Sequence, residues 1–450
     1  MATTLLVVSD LHLGDGDAIF DGWESRQQGA FADLLSMTHT DSRFMNTAVE
    51  LIINGDCFDF LASQPSLGLQ LTTNVTVAHA KWANILTQHG EWFTLLRNFL
   101  SVPNHRVTFL IGNHDIELLF PSIRARVRSA INAAPGMVRF CLTRSYQPLE
   151  DVVIDHGCQL DPANFVPQQW QSGSQLSTSN QLETVDQWNT PVGPLQLPWG
   201  SRYFASVFSP LKARYPYLDA LVPFMPAVRQ IALLCLIAPH TVIETMPHLV
   251  GMMNTDANAT PLTDLPSEPL PLFVSLLPIM QQAIASMPIV DMTPTDEASQ
   301  EAVQMEVLGL FDALSKDMTT ALEQIISTPT LIGQPERPNR SWLGEDAKTR
   351  FLLLGHTHVE GRWLQDNGVT VMNTGTWTGR YVRPTEGLSV PLAQWLAAPK
   401  ESAFTGQDGT RFTFAWLHVD DKGKTSAELL AWQNNAIVAV PDDGSPTLTL

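Results

Sequence analysis

The stretch VELIINGDCFDF, residues 49–60, decides how the chain is read. Residues 49–53 form a short aliphatic and β-branched run broken by one glutamate, and Asn54-Gly55 ends it abruptly. A run this apolar fits a strand covered on both faces, inside a layered α/β domain. Gly55 permits close backbone approach. Asp56 stands at the strand's exit, where its two carboxylate oxygens can serve two cations. Asp59 either orients a neighbouring ligand or caps a following helix, and Cys57 reads as a small buried apolar residue.

The same arrangement recurs along the chain. Apolar residues 5–8 lead into Asp10-Leu11-His12, 107–111 into Gly112-Asn113-His114-Asp115, 152–154 into Asp155-His156-Gly157, and 351–354 into Gly355-His356-Thr357-His358. Residues 369–372 repeat the strand-then-turn pattern, and segments 44–49, 75–99 and 123–133 have helical potential. A two-residue offset after a strand, as in Asp10 and His12 or His356 and His358, can aim both side chains at one pocket. Taken together, the clusters hold carboxylates and imidazoles in the number two divalent cations need. A cation pair binds phosphate oxygens, lowers the pKa of water and stabilises charge during phosphoryl transfer.

DLH, GDCFD, GNHD, DHG and GHTH occur in the order of the metal-binding motifs of the calcineurin-like metallophosphoesterase superfamily, which the chain resembles over roughly residues 5–160 and 350–380. The resemblance implies a layered β-sandwich core flanked by helices. It also implies that Asp10, His12, Asp56 and His358 surround one metal and Asp56, Asn113, His156 and His356 the other. His114 would contact the scissile phosphoryl group and protonate the leaving oxygen, with Asp115 orienting or electrostatically supporting its imidazole. A metal-activated hydroxide would attack phosphorus. Mn²⁺ is the first expectation for the two divalent or mixed-valence ions, with Fe, Zn, Co and Ni as alternatives. Cys158 stands where the family has a second histidine, and its structural reading is favoured. DLHLG, GDCFDF and NTGTW also resemble segments of bacterial phosphatases and pyrophosphohydrolases, including enzymes that cleave nucleotide-linked lipid precursors.

At 450 residues the chain has room for two or three domains or for one elaborated domain. Residues 1–160 and 346–400 read as the two parts of the core. Between them, residues 161–345 carry only 7 Lys or Arg in 185 positions and many prolines, which suggests a predominantly helical cap or insertion. Segments 218–235, 270–287 and 297–325 favour helices there, and 168–186 and 254–268 favour loops. Residues 401–450 form a β-rich extension, with strand-like runs at 411–419 and 436–440.

A formal charge of −19 disfavours nucleic acid and anionic membrane surfaces as bulk partners. Cys57, Cys141, Cys158 and Cys235 lack paired CxxC spacing and read as reduced thiols. The N-terminus has no basic leader, and no apolar stretch reaches the ~20 residues that span lipid. The expected location is the cytoplasm, with peripheral membrane association as an alternative. The expected partner is a small phosphorylated substrate, nucleotide- or lipid-linked, and self-association through the insertion is open.

The leading function is hydrolysis of a phosphoester or pyrophosphate. A nuclease or phosphodiesterase is the enzymatic alternative, and a catalytically weak, metal-stabilised protein-binding scaffold is the other. Arg26, Arg380 and Arg383 could approach a phosphate, although surface solvation is their simpler role; Trp23 and Trp377 could stack on a base, although core packing is the default.

Overall fold

Alternation along the first strand sets the layering. Leu5 and Val7 face one way, Leu6 and Val8 the other, and all four are fully buried, so the sheet they enter is covered on both sides. In the computed structural model the described residues are 3–160 apart from 18–19, 45–46 and 63–71; residues 164, 182–183, 194–198, 200–201, 204–205 and 209; 348–378 apart from 359 and 365–367; and 411–440 apart from 421 and 434–435. They all belong to one compact unit, built from Met1–Pro216, Pro335–Tyr381 and Gly409–Leu450.

In chain order the strands are β1 (Thr3–Val8), β2 (Ala48–Asn54), β3 (Thr72–Thr73), β4 (His105–Leu110), β5 (Val138–Cys141), β6 (Ser145–Leu149), β7 (Val152–Asp155), β8 (Leu182–Glu183), β9 (Leu195–Gln196), β10 (Phe351–Leu354), β11 (Gly361–Leu364), β12 (Thr370–Asn373), β13 (Phe412–Val419), β14 (Thr425–Gln433) and β15 (Ala436–Ala439). The helices are α1 (Ser25–Thr40), α2 (Val75–Gln88), α3 (Gly90–Leu100) and α4 (Pro121–Ile131). One sheet runs β15-β14-β13-β1-β2-β4-β5-β8, a second runs β11-β12-β10-β7-β6, and β3 pairs with β9. In the first sheet β1, β2, β4 and β5 are parallel; in the second, β7, β10 and β12 are parallel.

The two sheets pack face to face through Leu5, Val7, Ile52 and Leu110 on one side and Ile154, Phe351, Leu353 and Met372 on the other. The opposite face of the larger sheet, with Leu6, Val8, Leu51, Ile53 and Phe109, packs on the helices through Phe31, Trp82, Phe93 and Ile123. Each such side chain removed from water contributes about 1.5–3 kcal/mol, which makes this double layer the source of the rigidity at the strand ends. The expected α/β sandwich flanked by helices is what forms.

The expected helical segment at 44–49 is overturned. β2 begins at Ala48, paired in parallel register opposite Thr3 of β1, and Phe44 lies in the preceding turn. Sheet pairing outweighs weak local helix preference here. The segment 75–99 is two helices instead of one. Asn74 caps α2 by accepting the Val77 amide at 3.0 Å, and the chain leaves helical geometry at His89, whose Nε2 lies 2.7 Å from the Asp21 carboxylate. Helix α1 carries no strong sequence signal, being rich in Gln, Ser and Thr, and forms because Phe31, Leu34 and Leu35 share one buried face.

The strand-like runs at 411–419 and 436–440 extend the main sheet through β13, which pairs antiparallel with β1. Trp23 and Trp377 stack on one another at 6.2 Å and are buried in the core, which leaves neither presented as a stacking platform. The expected helices at 218–235, 270–287 and 297–325, the loop at 254–268, Cys235, Arg380 and Arg383 lie outside the described residues, as does the loop at 168–186 except for 182–183, which form β8. No helix among the described residues is long and apolar enough to cross a membrane.

The glutamate that interrupts the β2 run belongs to the layer between the sheets. Glu50 is buried and accepts from Arg106 Nε at 2.8 Å, Thr108 Oγ1 at 2.6 Å, the Tyr146 hydroxyl at 2.8 Å, and Arg139. Burial by itself raises its pKa, but the Arg139 and Arg106 charges outweigh this and hold the carboxyl below the usual glutamate range. Its charge therefore stabilises the fold fully above the ordinary glutamate pKa of about 4.3, and that contribution disappears as pH falls through the depressed folded-state value. Urea unfolding of Glu50→Ala is expected to show a loss of about 3 kcal/mol at pH 7, and the gap to wild type should narrow on acidification below pH of about 4.

Candidate metal centre

Five strand ends deliver the expected site residues to one edge of the sandwich. Asp10 and His12 follow β1, Asp56 follows β2, Asn113 and His114 follow β4, His156 follows β7, and His356 and His358 follow β10. These are the carboxyl ends of parallel strands, where loops are free of the sheet's own pairing and backbone geometry can turn side chains inward. Asp10, His12, Asp56, His356 and His358 all have left-handed backbone, with φ between 48° and 67°. Among the described residues, Asn104 and Asn132 are the other non-glycine residues with positive φ. Such conformations cost free energy and persist where the surroundings over-determine them.

Backbone bonds do much of that holding. Asp10 N donates to Gly55 O at 3.2 Å, His12 N to Asp56 O at 3.0 Å, Gly355 N to His156 O at 2.9 Å, and Trp377 N to Asp10 O at 3.0 Å. The carboxylates take part too: His114 N donates to Asp56 Oδ1 at 2.8 Å and His356 N to Asp10 Oδ2 at 3.0 Å. Two glycines make room. A β-carbon at Gly112 would overlap the Asp56 carboxylate, and one at Gly55, whose φ is +79°, would overlap the His156 ring.

Three groups of ligand-type atoms result, each within 4.8 Å of one another: Asp10, His12 and His358; His12, Asp56 and His114; and Asp56, His156 and His356. Asp56 belongs to two of them. The imidazoles are oriented from behind. Asp59 accepts from His12 Nδ1 at 3.3 Å through one oxygen and from His114 Nδ1 at 3.1 Å through the other, and His156 Nδ1 donates to Asn54 O at 2.7 Å. Because these partners only accept, Nδ1 carries a proton in all three rings and Nε2 is turned inward, where it offers a lone pair when the ring is neutral and a proton when it is charged.

The donor set fits bound cations. His12 Nε2 lies 3.1 Å from His358 Nε2, which itself lies 3.3 Å from Asp10 Oδ1. His156 Nε2 is 3.2 Å from Asp56 Oδ2 yet outside hydrogen-bonding geometry, and Asn113 Oδ1 is buried with no hydrogen-bond partner. A buried polar atom without a hydrogen-bond partner, as at Asn113 Oδ1 and His156 Nε2, is costly unless an electrophile meets it. The described residues thus hold a candidate site for two metal ions, of the His-and-carboxylate type that suits borderline transition metals.

Without a cation, protons carry the compensating charge. Burial lowers the pKa of His156, but Asp56 and Asp10 raise it to about 10. Burial likewise opposes the charge on His114, which Asp59 and Asp56 raise to about 9. Burial raises Asp56, and His156 and His114 more than reverse this, holding it well below the usual carboxylate range. Cations entering such a site displace protons.

One partner assignment differs from expectation. The carboxylate that holds His114 is Asp59. Asp115 instead accepts Gly112 N at 2.7 Å and Cys57 N at 2.9 Å, tying the β4 and β2 loops together, and makes no side-chain cap on the short helix that follows it. The reason is direction: an aspartate immediately after a histidine at a turn points away from that ring. Of the two sequence alternatives for Asp59 the orienting one forms; its Oδ1 also accepts Leu61 N at 3.0 Å and Ala62 N at 2.8 Å in a turn, and the next described helix, α2, is capped by Asn74. Cys57 and Cys158 are fully buried. Arg26 is exposed at the surface, its guanidinium 5.8 Å from the Phe412 ring.

Several positioning residues escaped the sequence reading. Thr376 Oγ1 donates to Asp10 O at 3.0 Å, and Asn373 Nδ2 donates to Gly355 O at 2.8 Å and to Thr357 Oγ1 at 3.0 Å. Arg144 Nε donates to Asp155 at 3.0 Å, beside His156. The small polar run NTGTW after an apolar strand was their visible signal. Comparison with protein-family models returns no match, and comparison with curated proteins returns none either.

Because Gly112 leaves the space that Asp56 fills, Gly112→Ala is expected to lose bound metal after dialysis, measured by elemental analysis, while its far-UV circular dichroism stays that of wild type. Gly29→Ala, a helical position with nothing within 4 Å of the added carbon, should keep its metal content.

Proposed function

We propose that the protein is a metal-dependent phosphoesterase of the calcineurin-like metallophosphoesterase superfamily. The observation that carries this reading is the place of Asp56, grouped with His12 and His114 on one side and with His156 and His356 on the other, with His114 held by Asp59 and partly open to solvent. Asp10, His12, Asp56 and His358 would hold one ion, and Asp56, Asn113, His156 and His356 the other, with Mn²⁺ the first choice to test. Two such ions supply Lewis-acid charge that activates water and neutralises the transferring phosphoryl group.

The chain's own residues do the rest. His114, whose charged form Asp59 favours against the opposing effect of burial, presents Nε2 as the acid. As the water oxygen bonds to phosphorus, the bond from phosphorus to the leaving oxygen breaks with its electron pair. The Nε2 proton passes to that oxygen, and the proton lost by water restores the imidazole. Asp59 stays in place throughout and fixes the ring's direction. Asp115 contributes by holding the Gly112 and Cys57 amides, so its effect on rate runs through loop position.

The test is hydrolysis of a phosphomonoester, a phosphodiester and a nucleotide pyrophosphate by metal-free protein reconstituted with Mn²⁺. Turnover is expected to require metal and to fall about 10²–10⁴-fold in His114→Ala at unchanged metal content. Full metal occupancy with no hydrolysis of any of the three would overturn the reading.

A further inference from the structure

Among the described residues of the centre, Asp10, His12, Asp56, Asn113 and His156 are buried, while His114, His356 and His358 are partly open and Thr357 is exposed, so these four mark its accessible side. On the His114 side another part of the chain joins them. Ser201 Oγ donates to Asn113 O at 3.1 Å, and Asn113 Nδ2 donates to Asn164 Oδ1 at 3.3 Å. These contacts fasten residues from beyond the β7 strand end onto the Asn113-His114 turn. Phe204 then meets the His114 ring edge to face, with centroids 5.1 Å apart and planes at 69°, and is itself only partly buried.

His114 is already constrained elsewhere. Asp59 holds its Nδ1, and the His12 ring lies edge-on at 4.6 Å. The Phe204 ring, partly buried against the core, thus flanks an imidazole whose other contacts are fixed, next to where the leaving group of a phosphoester must sit to take the Nε2 proton. An aromatic face at that place gives a flat or apolar leaving group a contact that a small hydrated one does not use. From this juxtaposition we infer that Phe204 is a specificity-determining residue, forming the leaving-group wall and selecting phosphoesters whose leaving group carries an aromatic or apolar body next to the phosphate. The inference rests on the phosphoesterase reading.

Binding, separate from turnover, tests it. In phenylphosphonate and methylphosphonate a phosphorus–carbon bond stands where the leaving oxygen would be, so calorimetry on the Mn²⁺-loaded protein reads that wall directly. Wild type is expected to bind the phenyl compound about three- to ten-fold more tightly than the methyl one. Phe204→Ala should lose that preference at unchanged metal content and methylphosphonate affinity, and Phe204→Tyr, which keeps the ring, should retain it. Equal affinity of wild type for the two compounds, or equal weakening of both in Phe204→Ala with Phe204→Tyr unchanged in its preference, would leave the phosphoesterase reading standing and overturn the role of Phe204. If the metal-loaded wild type binds neither phosphonate, the phosphoesterase reading falls and the inference with it.

Discussion

Everything at the centre depends on forcing like groups together. His12 and His358 face one another nitrogen to nitrogen, Asp10 and Asp56 are buried within the same cluster, and the residues that carry them stand in left-handed backbone. None of these arrangements stabilises a fold by itself. Buried carboxylates pay a desolvation cost, and Asn113 Oδ1 and His156 Nε2 are buried without a hydrogen-bond partner. Such a cluster survives because the surrounding structure is stiff enough to hold it, and because bound cations would convert its repulsions into ligation.

The stiffness has a source in the layering. Strands β1, β2 and β4 are clamped between the helices and the second sheet, so their ends are anchored by fully buried side chains on both faces. Strands β7 and β10 bring the other two ligand loops from the facing sheet. Convergence of strand ends from two packed sheets explains why ligands far apart in sequence meet: His12 and His358 are 346 positions apart yet in contact. A set of polar links then fixes each ring and loop from behind, with Asp59 serving two imidazoles, Asn54 one, Thr376 the Asp10 turn and Asn373 the His356 turn. Rotation of any one ring would unmake a buried hydrogen bond, which is what preorganises the set.

Much of this was readable beforehand because the signals are local. An apolar run ended by glycine and a carboxylate, or by histidines two apart, announces a strand exit with ligands, and all five such exits formed where residues 5–8, 49–53, 107–111, 152–154 and 351–354 placed them. Readings failed where the deciding partner was distant. Phe44 lies in a turn because β1 recruits the residues from Ala48 onward, and helix α1 forms because a sheet face awaits Phe31 and Leu34. The same holds within the centre. The resemblance assigns Asp115, next to His114 in sequence, to that imidazole, whereas Asp59, 55 positions away, is the carboxylate that hydrogen-bonds to the ring.

The sequence by itself determined the strands that end at the centre, the α/β class and the inventory of candidate ligands, since these follow from side-chain period, apolar runs and residue chemistry within a few positions. Tertiary structure alone decided which carboxylate orients which imidazole, which glycines must lack a β-carbon, and that Phe204 stands over His114. Those facts depend on distances between segments brought together by sheet packing, and no local pattern encodes a distance across the fold.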